Sequence, residues 1–101
     1  MSLYNTAKQA IVNVSSAGTR VALAASETPF KLALIQAKPG NGGVIYVGSN
    51  AVSSAAYGAS LSPTSIYSIG MGSSDNDARF DLSQIYIDTS NSTDGVSILY
   101  F

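Results

Sequence analysis

Val44-Ile45-Tyr46-Val47-Gly48-Ser49 is a run of β-branched and aromatic residues enclosed by turn chemistry. Lys38-Pro39-Gly40-Asn41-Gly42-Gly43 stands before it, and a small, Ser/Ala-rich stretch over 50–64 follows it. Residues of this kind fit a pleated, half-buried surface, and a run this short between breakers reads as a strand rather than a helix. Working outward, the same signature repeats roughly every ten residues. Phe30–Ala37 (FKLALIQA) precedes the glycine-rich turn, and Ser65–Gly70 (SIYSIG) follows the irregular stretch with its Leu61-Ser62-Pro63 landmark. Further out, Ala10–Ser16 (AIVNVSS) closes on Ala17-Gly18. In 19–25 (TRVALAA), Thr19, Val21 and Leu23 fall on one face and Arg20, Ala22 and Ala24 on the other, the period of two of a half-buried strand. ARFDL and SQIYID follow as two closely spaced strand pieces, Thr89–Gly95 is a polar turn, and VSILYF closes the chain.

This pattern predicts an all-β domain, an antiparallel β-sandwich or small β-barrel of about seven to eight strands. No amphipathic helix is evident. The chain divides into an N-terminal arm over 1–9, with Leu3 and Tyr4 as its large apolar groups, and a single β-domain over 10–101. A final strand that runs out on Leu99-Tyr100-Phe101 reads as one buried in a sheet or an interface.

Composition narrows the function. There is no histidine and no cysteine, and charged residues make up 11% of 101 residues. A serine nucleophile needs a base; without histidine only lysine could serve, and no Ser-x-x-Lys spacing occurs. Thiolate metal sites and disulfides are excluded. A net charge of −1, with Lys8, Arg20, Lys31, Lys38 and Arg79 scattered, argues against nucleic acid as a partner. No apolar run reaches the ~20 residues of a membrane span, and MSLYNTAKQA lacks the apolar core of a signal peptide. The chain is therefore expected to be made in a cytoplasm, without a cofactor and without a membrane partner. A surface this poor in charge falls below the ~25–35% that keeps copies apart in solution, so part of it is expected to be covered by a partner or by copies of itself.

Four groups of residues could carry chemistry. Asp75, Asp77 and Asp81 have the spacing of oxygen ligands for a hard cation, but an EF-hand loop starting at Asp75 needs Gly at its sixth position and Glu at its twelfth, which are here Phe80 and Tyr86, so a solvated loop is the better reading. Asp88 and Asp94 flank the last turn, where Asp94-Gly95 is turn chemistry. Gly40, Gly42 and Gly43 lack the Gly-Lys-Ser/Thr ending of a phosphate loop. The aromatic rings are first of all core and interface material. If any of them bound a glycan, the candidates would be Tyr57 and Tyr67 near Asn50.

Thr19-Arg20-Val21-Ala22-Leu23, Phe30-Lys31-Leu32 leading to Ile35-x-Ala37, and Asn41-x-Gly43-x-Ile45-Tyr46-Val47-Gly48 form an ordered series. It continues through Val52-Ser53, Gly58-x-x-Leu61-Ser62-Pro63, Asp81–Asp88 (DLSQIYID) and Gly95–Tyr100 (GVSILY). Over about residues 12–101 the series resembles small β-domain virion proteins of tailed bacteriophages: head-decoration or minor structural proteins and modules of fibres. In such relatives a glycine and an acidic residue commonly follow the proline, whereas Thr64 and Ser65 stand here. The resemblance implies a structural protein of the virion without an active site. The expected function is that of a capsid decoration (cement) protein, a homo-oligomer, expected as a trimer, bound to the major capsid protein on the outside of the mature head. Expected contacts are Leu3 and Tyr4 in the arm and Tyr100 and Phe101 in the last strand. The alternative is a tail or fibre module that binds a host receptor or glycan.

Overall fold

A computed structural model describes residues 7–70 and 80–101. The described chain is all-β. Its strands are β1 (Lys8–Asn13), β2 (Val21–Ala22), β3 (Pro29–Phe30), β4 (Leu32–Ala37), β5 (Ile45–Gly48), β6 (Ala59–Leu61), β7 (Ile66–Gly70), β8 (Phe80–Asp81), β9 (Tyr86–Thr89) and β10 (Gly95–Tyr100). A single 3-10 turn, Leu82–Gln84, separates β8 from β9. Among the described residues no helix is long and apolar enough to cross a membrane.

Two four-stranded sheets have the orders β1-β10-β4-β7 and β2-β9-β5-β6, and β3 and β8 form a two-stranded ribbon. Every pairing is antiparallel. The pairs β5–β6, β4–β7, β3–β8, β2–β9 and β1–β10 are nested one inside the next. The molecule is thus one long hairpin, centred on the β5–β6 connection and rolled up on itself. The pairs β4–β10 and β5–β9 then join the windings into sheets. This is the jelly-roll arrangement of a two-sheet sandwich, so the open sandwich, not the closed barrel, is the form adopted.

The core lies between the sheets. Ala33, Ile35 and Ala37 of β4 and Val96 and Ile98 of β10 face Ile45 and Val47 of β5, Leu61 of β6 and Ile87 of β9, with Val14, Leu23, Phe30 and Leu82 filling the ends. Burying each large aliphatic or aromatic side chain contributes about 1.5–3 kcal/mol. Phe30 and Phe80 stack across the ribbon with ring centroids 5.5 Å apart.

Several details differ from the sequence reading, and the strand expected over 19–25 is confined to Val21–Ala22, paired with Tyr86 and Ile87. The first strand starts at Lys8, two residues inside the expected arm, because the β1–β10 ladder extends to Lys8↔Tyr100. Ala59–Leu61, read as irregular, is a strand because it pairs with Ile45–Val47. Phe30–Ala37, read as one strand, is two. Phe30 and Ala33 are buried while Leu32 between them is exposed, so the alternation changes phase at Lys31. There the chain leaves the ribbon for the first sheet, and Lys31 N–H donates to the Phe101 carbonyl (2.8 Å). With the added strand and the split, the described residues form ten strands.

Two turns hold threonine at positive φ, Thr64 (φ 73) and Thr93 (φ 73). In both, the residue after the threonine donates back three positions, Ser65 N–H to the Ser62 carbonyl (2.9 Å) and Asp94 N–H to the Asn91 carbonyl (3.3 Å). These are type II turns with threonine where glycine fits best. A neighbouring strand pins each one: Thr64 N–H donates to the Ala37 carbonyl (2.9 Å) and Thr93 N–H to the Val14 carbonyl (2.8 Å).

Candidate functional site

Asp81, Asp88 and Asp94 are joints, not ligand sets. Asp94 is 5% exposed. Its two oxygens accept from Gly42 N–H (2.9 Å) and Gly43 N–H (2.7 Å), closing the β4–β5 loop onto the turn before β10. Beside it Asn41 donates to the Gly95 carbonyl (2.9 Å) and accepts from Gly95 N–H (3.0 Å). Burial pushes the Asp94 carboxyl up, but the Gly42 and Gly43 amides, helped by the Asn91 and Thr89 side chains, outweigh it and hold the group below the ordinary aspartate value. Asp88, on β9, accepts from Gly18 N–H (2.9 Å) and Thr89 N–H (2.7 Å) and so ties down the β1–β2 loop. Asp81 caps the 3-10 turn. It accepts from Thr28 N–H (2.9 Å), Ser83 N–H (2.9 Å) and the Ser83 hydroxyl (2.8 Å). The Thr28 amide, then the Ser83 amide, hold its carboxyl below the usual range against a smaller opposing effect of burial.

Asp75 and Asp77 lie outside the described residues, as do Leu3 and Tyr4. Among the described residues no three carboxylates converge into a metal-holding group, and no buried side-chain nitrogen or oxygen lacks a partner.

The other expected site residues are dispersed. Tyr100 sits at a core-facing position of β10, its ring packed against the core and the Lys8 ammonium 5.8 Å from its centroid. Phe101 is half-buried and brackets the β3–β4 bend, its N–H donating to the Leu32 carbonyl (2.9 Å). Asn50 and Tyr57 share the exposed β5–β6 connection, whereas Tyr67 is on β7 of the other sheet. Tyr57, half exposed, stacks on Tyr46 with centroids 4.9 Å apart and planes at 37°. Tyr46 points away from the core, since Ile45 and Val47 on either side of it are buried.

A second surface feature is the outer face of the β1-β10-β4-β7 sheet. Its side chains form two rows across the strands, fixed by the register. One row reads Gln9, Leu99, Leu34, Ser68; the next reads Ile11, Ser97, Gln36, Ile66. Neither row contains a charge. Ile11 is 67% exposed and Ile66 61%, and they form the two rims of a shallow concavity of about 670 Å³ floored by Leu34, Leu99 and Ser97. Leu32 and Leu99 are also exposed. Exposed aliphatic side chains in this number are unusual on a surface that stays in water. The face was not singled out in the sequence, although it left a signal there. In LALIQA and SILY apolar residues occupy both parities, as in strands covered on both faces.

Compared with models of protein families, with curated proteins and with solved structures, the chain matches none of them.

Proposed function

We propose that this protein is a non-enzymatic structural component of a bacteriophage virion, a head decoration protein that is made in the host cytoplasm and binds the major capsid protein on the outside of the mature shell. The observation that carries the reading is the outer face of the first sheet, whose two central rows carry no charge and whose exposed Ile11, Leu99 and Ile66 favour cover by neighbouring protein in an assembly, whether the shell or another copy. Two further features support it. Jelly-roll sandwiches recur in viral coat components, and the chain resembles small β-domain virion proteins over most of its length. Since a fold hosts many functions, the weight rests on the surface.

The mechanism is linkage. A protein that binds the assembled shell and not its dissociated parts shifts the equilibrium toward the shell, by about 2.7 kcal/mol per site when present at a hundred times its dissociation constant. Co-sedimentation with mature, expanded and unexpanded shells lacking the protein tests this. Saturable binding to mature shells, at a copy number that matches symmetry axes, is expected. A folded protein that sediments with none of them refutes the reading.

The Tyr46–Tyr57 stack favours a second reading, a tail or fibre module that binds a host glycan. An exposed ring beside Asn50 on the same connection is the kind of platform on which a sugar packs. Binding of cells or arrayed glycans that is lost in Tyr57→Ala would establish it, and glycan binding indifferent to that change would remove it.

A further inference from the structure

We propose that the outer face of the β1-β10-β4-β7 sheet pairs with the same face of a second copy, about a twofold axis that runs parallel to the strands between the two sheets. The inference rests on the reading of the chain as an assembly component, but it concerns the isolated protein and is tested without shells.

The argument is the order of residues across the sheet. A twofold axis along the strands leaves each row at its own level and reverses it from left to right. β1 then lies over β7 of the second copy, and β10 over β4. The row Gln9-Leu99-Leu34-Ser68 meets its own reverse, so Leu99 lies over Leu34 and Gln9 over Ser68. The row Ile11-Ser97-Gln36-Ile66 does the same, so Ile11 lies over Ile66 and Ser97 over Gln36. Aliphatic meets aliphatic and hydroxyl meets amide at every position of both rows. An isologous interface requires this self-complementarity, and most arrangements of four apolar and four polar residues lack it. An axis across the strands would bring the rows into opposition instead, setting Ile11 against Gln9 and Leu99 against Ser97.

The chemistry of the face fits a second copy better than a charged partner, since neither row carries a charge that could steer or be neutralised. Gln36 already donates to the Thr64 carbonyl (3.2 Å) in the turn before β7, which restrains its side chain. Its amide oxygen then faces the Ser97 hydroxyl of the other copy across a bridging water. Packed sheets cross at about 30°, which moves the rim positions by a few ångströms and keeps the central ones in register. The isoleucine rims meet, and the hollow over the Ser97–Gln36 row holds bridging water, as small interfaces commonly do.

Size sets the strength. Four strands about 4.8 Å apart and five residues at about 3.4 Å each give a face of roughly 300 Å². Two such faces fall below the ~1,200 Å² at which stable interfaces begin. The pair is therefore weak, and it becomes populated where copies are held close together.

Sedimentation of the purified chain up to roughly 1 mM reads the association directly. A concentration-dependent two-chain species is expected, and Ile11→Lys or Ile66→Asp alone weakens it at least about tenfold. Both changes in one chain restore it, because each new ammonium lies over the new carboxylate of the other copy. Within one copy the two positions are about 14 Å apart, three strand spacings, and do not meet. An equimolar mixture of the two single variants forms a mixed pair for the same reason. Thermal unfolding of each variant confirms that the domain is intact, as exposed positions should allow. A chain that stays monomeric throughout, a three-chain species, a dimer indifferent to either change, or weakening without rescue in the double variant overturns the proposal.

Discussion

Replacing Asp94 by alanine tests whether one carboxylate joins the two halves of the rolled hairpin. The side chain is buried and accepts from Gly42 N–H at 2.9 Å and Gly43 N–H at 2.7 Å, more than fifty residues earlier in the chain. Hydrogen bonds to a charged group contribute about 1.5–3 kcal/mol each, and the loss is felt in full where the stranded donors stay shielded from water. Two such bonds, with partial access of water to the loop once the carboxylate is gone, set the expected loss at about 3–4 kcal/mol. That is a large share of the ~5–15 kcal/mol that holds a small domain together. Equilibrium unfolding in urea, followed by far-ultraviolet circular dichroism because the chain has no tryptophan, measures it. The pH dependence follows from the lowered carboxyl. A group whose native pKa lies below its unfolded value of about 3.9 contributes fully above that value and loses its contribution as pH falls through the native one. The gap between wild type and Asp94→Ala should therefore be constant from pH 7 to about 5 and shrink below pH 4. A loss under 1 kcal/mol, or a gap that does not narrow in acid, would refute the reasoning.

Three further outcomes are expected. Ile35→Ala, at a fully buried position, should cost about 2–5 kcal/mol in urea unfolding, as deletion of a core aliphatic does. Gly95→Ala should weaken the β1–β10 ladder, because a Cβ there runs into the Val12 carbonyl and Asn13; amide exchange over Lys8–Asn13 should accelerate more than at β5. Thr64→Gly should stabilise the domain by about 0.5–1 kcal/mol, since the exposed threonine loses no contact and glycine relieves a β-branched residue held at positive φ. A fall in melting temperature for this last variant would count against the turn assignment.

How much the sequence disclosed varies with how local the cause is. Ile45 and Val47 alternate with Tyr46, and their burial follows that alternation, because a period of two needs only the pleat. Asp94-Gly95 was legible as a turn, but its clasp on Gly42 and Gly43 was not, since nothing local names a partner so far back in the chain. Ala59–Leu61 carries little strand propensity and owes its conformation to Ile45–Val47. The break at Lys31 was hidden because Phe30 and Leu32 are both apolar; only the register shows one turned in and the other out. The same ambiguity concealed the outer face. Apolar residues at both parities of β4 and β10 announce two buried faces, but which is the core and which the contact surface is decided by the opposing sheet.

The nested pairing also dictates an order of events as the chain folds. Bringing Val47 against Ala59 closes a short loop, whereas bringing Lys8 against Tyr100 from the unfolded chain closes nearly the whole sequence. The entropy of closure grows with loop length, so each inner pair that forms shortens the loop the next must close. Winding from the middle outward is the least costly route, and the speed of folding depends on the β5–β6 hairpin while resistance to unfolding depends on the chain ends. Ratios of kinetic to equilibrium effects, measured with substitutions along the ladder, should fall steadily from β5–β6 to β1–β10. A flat profile would mean that the hairpin collapses first and rolls up whole.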